Sequence, residues 1–443
     1  MNLPSHPQAC VSSMISVSRN RDIVVSRVNR GIEIWRLGSS SSSSSSSPLP
    51  AKGILPLESP PTKLALIPGR KDAKDYYCSA VVNADATLLC VSDRSQTNVF
   101  RLVIPESSVP TDADAPFQIS KIKALNGTLA PNVLFSDFCS TTAATADVKG
   151  DELLVTVGAD GRLEALRIRR TKSVGAAAAE ENDSSSSPPS SSPSSSSDLT
   201  FRKMAMTLPG PGLPTCLATR TRLFRGGEAA PFAAVGFASG RVEVVDLLDG
   251  RVVASLPVLE DVCVSAVAFS RDAAEVTAVY VNREVAFFSL DSQKTTYWPR
   301  VGDDLAKWRR QGTAMTPILK AVYTTQGKLL MHSDRTIYVL NRKTIVGGGG
   351  ADAAAATTTT VADEDGLDSG EEEAEAKKPK LVEGGGGGAG ASDAFFQFRA
   401  IGFIDVVHFV EALENGELVV AETTVEKVEN GMPEPLLKKK YGT

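Results

Sequence analysis

Short runs in which apolar and polar residues alternate recur along most of the chain, and a period near two predicts strands rather than helices. Ile23 and Val25, then Ile32 and Ile34, keep this spacing inside the runs Asp22–Val28 and Gly31–Leu37, with Met14–Ser18 ahead of them. A short run follows at Gly53–Leu57. Lys63–Ile67, Ser79–Asn83, Thr87–Ser92 and Asn98–Ile104 then read as one unit of four strands. Phe117–Leu125, Val133–Cys139, Leu153–Gly158 and Arg162–Arg169 read as the next, with Asp160-Gly161 joining the last two. The clearest unit is Thr215–Thr219, Phe232–Ala238, Arg241–Leu247 and Arg251–Pro257, with turns at Ser239-Gly240 and Asp249-Gly250. Val264–Ser270, Glu275–Val281, Val285–Leu290 and Thr295–Trp298 repeat it. Pro317–Tyr323, Lys328–His332 and Thr336–Asn341 start another, whose fourth strand resumes near Phe395–Ile401. Near the end, the apolar runs Phe395–Val410 and Glu417–Ala421 flank Glu414-Asn415-Gly416. Asn-Gly is the strongest short hairpin signal, so a final hairpin is predicted there.

Three stretches break the pattern: the serine run Ser39–Ser47, the Ala-, Ser- and Pro-rich segment Arg170–Thr200, and Gly347–Asp393. Such compositions cannot bury a core and are expected to be disordered insertions. With them removed about 340 residues remain, and at roughly 40–45 residues per four-stranded unit this makes about seven units. The expected fold is therefore all-β: a WD-repeat-like β-propeller of about seven four-stranded blades with disordered loop insertions. It is expected to run over 1–430, interrupted at 39–51, 171–199 and 346–393, and to end in a basic tail, 431–443. A pair of β-sandwiches is the alternative, disfavoured because the strands recur in fours. Ile32-Glu33-Ile34-Trp35-Arg36 looks like the Trp-Asp strand of a WD blade with Arg in place of Asp.

Composition narrows the chemistry. With 42% hydrophobic and 22% charged residues the chain is ordinary for a soluble globular protein. Its net charge of −5 argues against a broad nucleic-acid-coating surface and leaves only local basic patches. The 6 cysteines, Cys10, Cys78, Cys90, Cys139, Cys216 and Cys263, form no CxxC pair, which fits a reducing compartment better than a zinc site or a disulfide framework. No signal-like segment or membrane-length apolar run is seen. Of the 3 histidines, His332 and His408 sit on predicted strands among apolar neighbours and read as structural; no two share metal-ligand spacing. The glycine runs Gly347–Gly350 and Gly384–Gly388 lack the Gly-Lys-Ser/Thr of a phosphate loop. No catalytic, metal or cofactor site is expected. Asp93-Arg94 and Asp334-Arg335 stand at predicted turns, where the Asp accepts turn amides. Lys377, Lys378 and Lys380, after the acidic blocks Asp363–Asp365 and Glu371–Glu373, form a candidate nuclear-import cluster. Past Asn430-Gly431 come Pro433, Pro435 and Lys438, Lys439, Lys440 and Tyr441, which read as an exposed basic terminus. It is a candidate tail for a protein partner or for RNA phosphates, with Tyr441 stacking on a base.

The ending carries a resemblance. Leu418-Val419-Val420-Ala421-Glu422, the spacer with Pro433 and Pro435, and Lys438-Lys439-Lys440-Tyr441-Gly442-Thr443 resemble the C-terminus of the cirhin family. These are WD-repeat subunits of the small-subunit processome that associates with the U-three small nucleolar RNA. Thr423-Thr424 stands where the family often has Arg-Pro. Thr316-Pro317-Ile318, Leu329 to Asp334 and Ile337 to Lys343 look like the family's penultimate blade, and the region from Trp298-Pro299-Arg300 to Trp308-Arg309-Arg310 is similar to the segment before it. The resemblance covers roughly the last third of the chain. Family members carry two tandem propellers, so this chain looks like the C-terminal half, or a shortened member. The resemblance implies a non-enzymatic scaffold in the nucleolus. Its expected work is ribosome biogenesis: pre-rRNA processing toward the small-subunit RNA and support of ribosomal DNA transcription. Its expected partners are other subunits of the U-three-associated subcomplex, the 5′ external spacer and the U-three RNA, with no membrane and no small-molecule substrate. A WD-repeat adaptor outside the ribosome pathway, and a propeller hydrolase, are the competing readings. The hydrolase needs convergent carboxylates or histidines that the sequence does not show.

Overall fold

The computed structural model describes residues 15–18, 20, 22–28, 31–38, 60–69, 77–104, 117–141, 151–170, 199–208, 212–224, 229–256, 262–297, 316–344, 394–402, 406–412 and 418–423. They are all-β, with a single 3-10 turn at Lys123–Leu125. The strands form antiparallel meanders. Sheet 1 holds β1 (Ile15–Val17), β2 (Ile23–Val28), β3 (Gly31–Arg36) and β4 (Thr62–Pro68). Sheet 2 holds β5 (Ser79–Val82), β6 (Leu88–Ser92), β7 (Thr97–Val103) and β8 (Gln118–Lys121). Sheet 3 holds β9 (Val133–Ser140), β10 (Glu152–Gly158), β11 (Arg162–Arg170) and β12 (Leu199–Thr207). Sheet 4 holds β13 (Pro214–Leu223), β14 (Ala229–Phe237), β15 (Val242–Asp246) and β16 (Arg251–Leu256). Sheet 5 holds β17 (Val264–Phe269), β18 (Glu275–Tyr280), β19 (Val285–Ser289) and β20 (Lys294–Tyr297). Sheet 6 holds β21 (Lys320–Tyr323), β22 (Leu329–His332), β23 (Thr336–Thr344) and β24 (Ala394–Gly402). Sheet 7 has, among the described residues, only β25 (Val406–Ala412) and β26 (Leu418–Thr423).

The chain divides into two compact units, 1–341 with 398–443, and 342–397. The second contributes described residues only at the ends of β23 and β24.

The expected grouping needs correction at several strands. Lys63–Ile67 does not open a unit: it lies in β4, the fourth strand of sheet 1, paired to β3 with Ile67 opposite Ile32. Phe117–Leu125 likewise does not open the next unit. Its strand residues form β8, the edge of sheet 2, with Ile119 opposite Leu102. The strand that completes sheet 3 is β12, which begins at Leu199 inside the segment expected to be an insertion and carries Arg202-Lys203 at its middle. The remainder of the three insertions lies outside the described residues, as does Gly53–Leu57. Each insertion joins the third strand of its sheet to the fourth. The run Phe395–Val410 is also divided, since β24 belongs to sheet 6 and β25 opens sheet 7.

Central strands are buried on both faces, which explains their near-continuous apolar sequences: Val276 to Tyr280 of β18 are all buried, as are Ala230 to Phe237 of β14. Neighbouring sheets share apolar cores. Val25 and Ile34 meet Leu89 and Val91 between sheets 1 and 2. Leu154 and Leu166 meet Cys90 and Val99 between sheets 2 and 3. Val155 and Leu163 meet Val235 and Val245 between sheets 3 and 4, and Val244 meets Val267 and Tyr280 between sheets 4 and 5. Ile337 meets Val407 and Val410 between sheets 6 and 7, and Phe409 of sheet 7 packs on Val17 of sheet 1.

Turn chemistry sets the spacing. Gly240 and Gly250 have φ of 84° and 68°, the left-handed region that side chains disfavour, and each closes a turn in sheet 4. Gly236 is needed for another reason. A Cβ there would lie 2.5 Å from Cys216 Sγ and 2.7 Å from Val264 Cγ1, at the closest approach of sheets 4 and 5. Gly236→Ala is expected to cost about 1–3 kcal/mol by overpacking, read as a lower urea midpoint with an unchanged m-value. Leu166→Ala, which empties a fully buried site, is expected to cost about 2–5 kcal/mol in the same measurement.

Candidate interaction surface

The third strands carry a repeated device that the sequence analysis passed over. Glu33 on β3, Glu164 on β11 and Glu243 on β15 each follow an aliphatic residue: Ile32, Leu163 and Val242. Alternation turns Glu164 and Glu243 toward the preceding sheet, because Leu166 and Val245, two residues on, pack there. A buried carboxylate must be paired, and each of these is clamped by its own sheet. Glu164 takes Lys203 Nζ at 2.9 Å, Arg162 Nε at 3.1 Å and the Ala130 backbone N–H at 2.9 Å. Glu243 pairs with Arg241 and accepts Ser255 Oγ at 2.6 Å. Glu33 meets Lys63 Nζ at 2.5 Å and accepts Trp35 Nε1 at 3.1 Å, with Lys63 5.8 Å from the Trp35 ring centre. The Lys63 hydrogen bond holds the Glu33 carboxyl below its ordinary value. The sequence signal for the device is a glutamate recurring one residue past the aliphatic that opens the third strand.

Polar bridges tie the sheets at their seams. Buried Asn83 donates to both oxygens of Glu152 at 2.7 Å, joining sheets 2 and 3, while its Oδ1 accepts Thr87 and Leu88 N–H groups at 2.8 Å. Thr219 Oγ1 donates to Asp137 at 2.7 Å between sheets 4 and 3. Arg271 Nη1 donates to the Thr325 carbonyl at 2.9 Å between sheets 5 and 6, and Thr277 and Tyr323 share a 2.7 Å hydroxyl contact there. Lys320 of sheet 6 pairs with Glu411 of sheet 7 and stands 4.2 Å over the Phe409 ring. These groups are engaged in joining strands; they are clamps.

Asp93 performs the turn role expected of it, accepting the Ser95 and Gln96 N–H groups at 2.7 and 2.8 Å. The Asp334 carbonyl accepts the Val407 N–H at 2.6 Å. His332 is buried at the end of β22, its Nδ1 3.1 Å from the Ser333 carbonyl. The import candidates Lys377, Lys378 and Lys380, the tail candidates Lys438, Lys439, Lys440 and Tyr441, and His6 lie outside the described residues, as does the side chain of His408. Among the described residues no group of three His, Cys, Asp or Glu side chains is placed to hold a metal ion, and no helix is long and apolar enough to cross a membrane. Cys78, Cys90, Cys139, Cys216 and Cys263 are not joined in disulfides. Burial pushes the Cys90 thiol up to about 12. Exposed positive charge lies at Lys121 on the fourth strand of sheet 2, at Lys123 in the 3-10 turn that follows it, and at Arg202 on the fourth strand of sheet 3. Lys203, beside Arg202, reaches across to the Thr128 carbonyl and ties the two sheets there. Arg202 carries no signal in the sequence because β12 does not read there as a strand.

No family model matches the sequence, and no curated protein matches it.

Two measurements check the electrostatics. Lys63→Ala removes a pair that lowers the Glu33 pKa, so its stability contribution is present above the unfolded carboxylate pKa and is lost as pH falls through the folded one. The expected loss near pH 7 is about 0.2–1 kcal/mol, as for partly exposed pairs, fading to nothing in acid; a loss unchanged at low pH assigns the effect to packing. Among the cysteines of the described residues, alkylation of the native protein at pH 8 is expected to modify the half-exposed Cys78 and Cys263 first and to leave Cys90 unmodified until unfolding.

Proposed function

We propose that this chain is a non-enzymatic scaffold: a WD-repeat-like β-propeller of seven sheets closed on itself, serving as a subunit of the small-subunit processome in the nucleolus. The observation that carries the architectural part is the contact of Phe409 in sheet 7 with Val17 in sheet 1, the first and last sheets of one unit. Its placement in ribosome biogenesis rests on the resemblance of Leu418–Glu422 and the Lys438–Thr443 ending to the cirhin family. The proposed partners are the other subunits of the U-three-associated subcomplex, together with U-three RNA and the 5′ external spacer of the pre-rRNA. The exposed strip Lys121, Lys123 and Arg202 supports direct contact with RNA phosphates in an otherwise acidic chain. Clamped carboxylates suit a rigid frame that holds partners by its surfaces.

A double-mutant cycle tests closure. Val17→Ala and Phe409→Ala are expected to couple by about 0.5–3 kcal/mol, and strict additivity counts against a ring. Function is tested by affinity purification of the tagged chain from its native cells, with and without RNase, probing U-three RNA, the 5′ spacer and co-purifying proteins. Both RNAs are expected above background, and subunits that survive RNase mark direct protein contacts. Recovery of neither RNA removes the ribosomal reading in favour of an adaptor elsewhere. The triple variant Lys121→Glu, Lys123→Glu, Arg202→Glu is expected to lower RNA recovery while leaving RNase-resistant subunits in place.

A further inference from the structure

On the face of sheet 3 that looks toward sheet 4, Val155, Ala165 and Met204 form one cross-strand row inside the shared core. Sheet 4 reaches this row with its last turn, since a Cβ on Gly250 would lie 2.8 Å from Met204 Sδ. The next row outward is Leu153, Arg167 and Arg202, and the one after it holds Arg169 opposite Thr200. Asp151 precedes Glu152, which pairs with Ile168, so it stands beside Arg169 in that outermost row. Alternation therefore puts three guanidinium groups on one face, in rows about 6–7 Å apart. The side chains of Arg167 and Arg169 are 35% and 56% exposed, and Arg202 is exposed as well. One carboxylate answers to this ledge. Asp151, whose carbonyl accepts the Thr141 N–H at 2.9 Å and Oγ1 at 2.8 Å, takes Arg167 Nε and Nη2 at 2.7 and 2.6 Å and Arg169 Nε at 3.1 Å. Arg202 forms no ion pair among the described residues, and Asp249, the exposed acid in the last turn of sheet 4, pairs with Arg251 at 3.4 Å. Arg202 is also directly opposite Arg167, and like charges so placed destabilise a strand pair. A chain of net charge −5 thus keeps an excess of positive charge where it costs stability.

We propose that this ledge grips the phosphate backbone of RNA: Arg169 and Arg202 donate to phosphate oxygens, while Asp151 is a positioning residue that fixes Arg167 and Arg169. The proposal deepens the RNA contact inferred above and rests on the chain meeting RNA, not on which RNA it meets. The planar fork of an arginine matches two phosphate oxygens at once. The charge also continues past the ledge. Lys203, next to Arg202 in β12, turns to the opposite face and reaches the Thr128 carbonyl of sheet 2. Lys123 lies in the turn leading to Thr128, its carbonyl accepting the Asn126 N–H at 3.1 Å. Cations on both faces of one outer strand, followed by more on the neighbouring sheet, suit a polyanion longer than a single phosphorylated side chain. Phe201, the aromatic residue beside Arg202, packs into the core between sheets 2 and 3 and offers no platform for a base. The contact is therefore with backbone and is independent of base sequence.

The test follows binding of a fluorescein-labelled oligouridylate to the purified full chain by anisotropy, between about 50 and 200 mM salt. Arg169→Gln together with Arg202→Gln is expected to weaken binding about tenfold at the lower salt and, for two lost phosphate contacts, to make the slope of log Kd against log salt shallower by about 1.4. Lys294→Gln, an exposed lysine of β20 in sheet 5, is expected to change neither. Arg202→Gln alone is expected to raise the urea midpoint slightly, because it relieves the repulsion across from Arg167. A midpoint that falls along with the affinity assigns Arg202 a structural role and overturns the proposal. So does a wild-type chain that binds no oligonucleotide, unchanged binding by the double variant, or an equal loss in Lys294→Gln. Tighter binding of a polyglutamate peptide, abolished by the same pair of substitutions, assigns the ledge to an acidic protein and also overturns it. A wild-type chain that binds the oligonucleotide through Arg169 and Arg202 yet recovers no U-three RNA from cells supports the ledge and removes only the ribosomal reading.

Discussion

A four-stranded meander built of residues such as Val235, Val244 and Val267 has two apolar faces and is stable only between two others. Everything else in this molecule follows from that need. It forces the central strands to read as unbroken apolar runs, brings glycine to Gly236 where two sheets press together, and leaves polar residues only where a partner can be built in. It also makes the last sheet answer to the first, because Phe409 and Val17 each need a neighbour that chain order alone does not supply.

The clamped glutamates show how polar groups are admitted to such a packing. Glu164 and Glu243 are as buried as the leucines beside them, and each is neutralised by a cation from the same sheet. The charge is therefore balanced within a sheet before that sheet meets its neighbour. Asn83 does the equivalent at a seam, using its acceptor for its own turn and its donors for Glu152 of the next sheet. Removing either partner of such a pair leaves an unmatched charge in an apolar setting, which costs more than the pair contributes.

Sheets 4 and 5 were legible in the sequence to within a few residues, because Ser239-Gly240 and Asp249-Gly250 punctuate strands of strict character. In sheets 1 to 3 most strands were found, but two of them were assigned to the wrong sheet and one was missed. Lys63–Ile67 and Phe117–Leu125 look locally like any first strand, and only their pairing with Ile32 and Leu102 shows them to be fourth strands. Strand β12 was hidden by its own chemistry: an edge strand straight after a serine-rich stretch, its alternation of Leu199 and Phe201 with Met204 and Met206 is broken in the middle by Arg202-Lys203. The interaction surface was less legible than the fold. A single glutamate in a strand signals nothing until three third strands are compared, and the basic residues Lys121, Lys123 and Arg202 are not neighbours in sequence.

The insertions share one topological address, the link between third and fourth strands. Length there is nearly free: each doubling of a flexible connection costs only about 0.6 kcal/mol, and no strand changes partner. Over generations such a link behaves as a reservoir in which new sequence accumulates without being tested by the core. The same tolerance makes it the natural point for inserting a reporter domain, since both flanking strands are already held by their sheet.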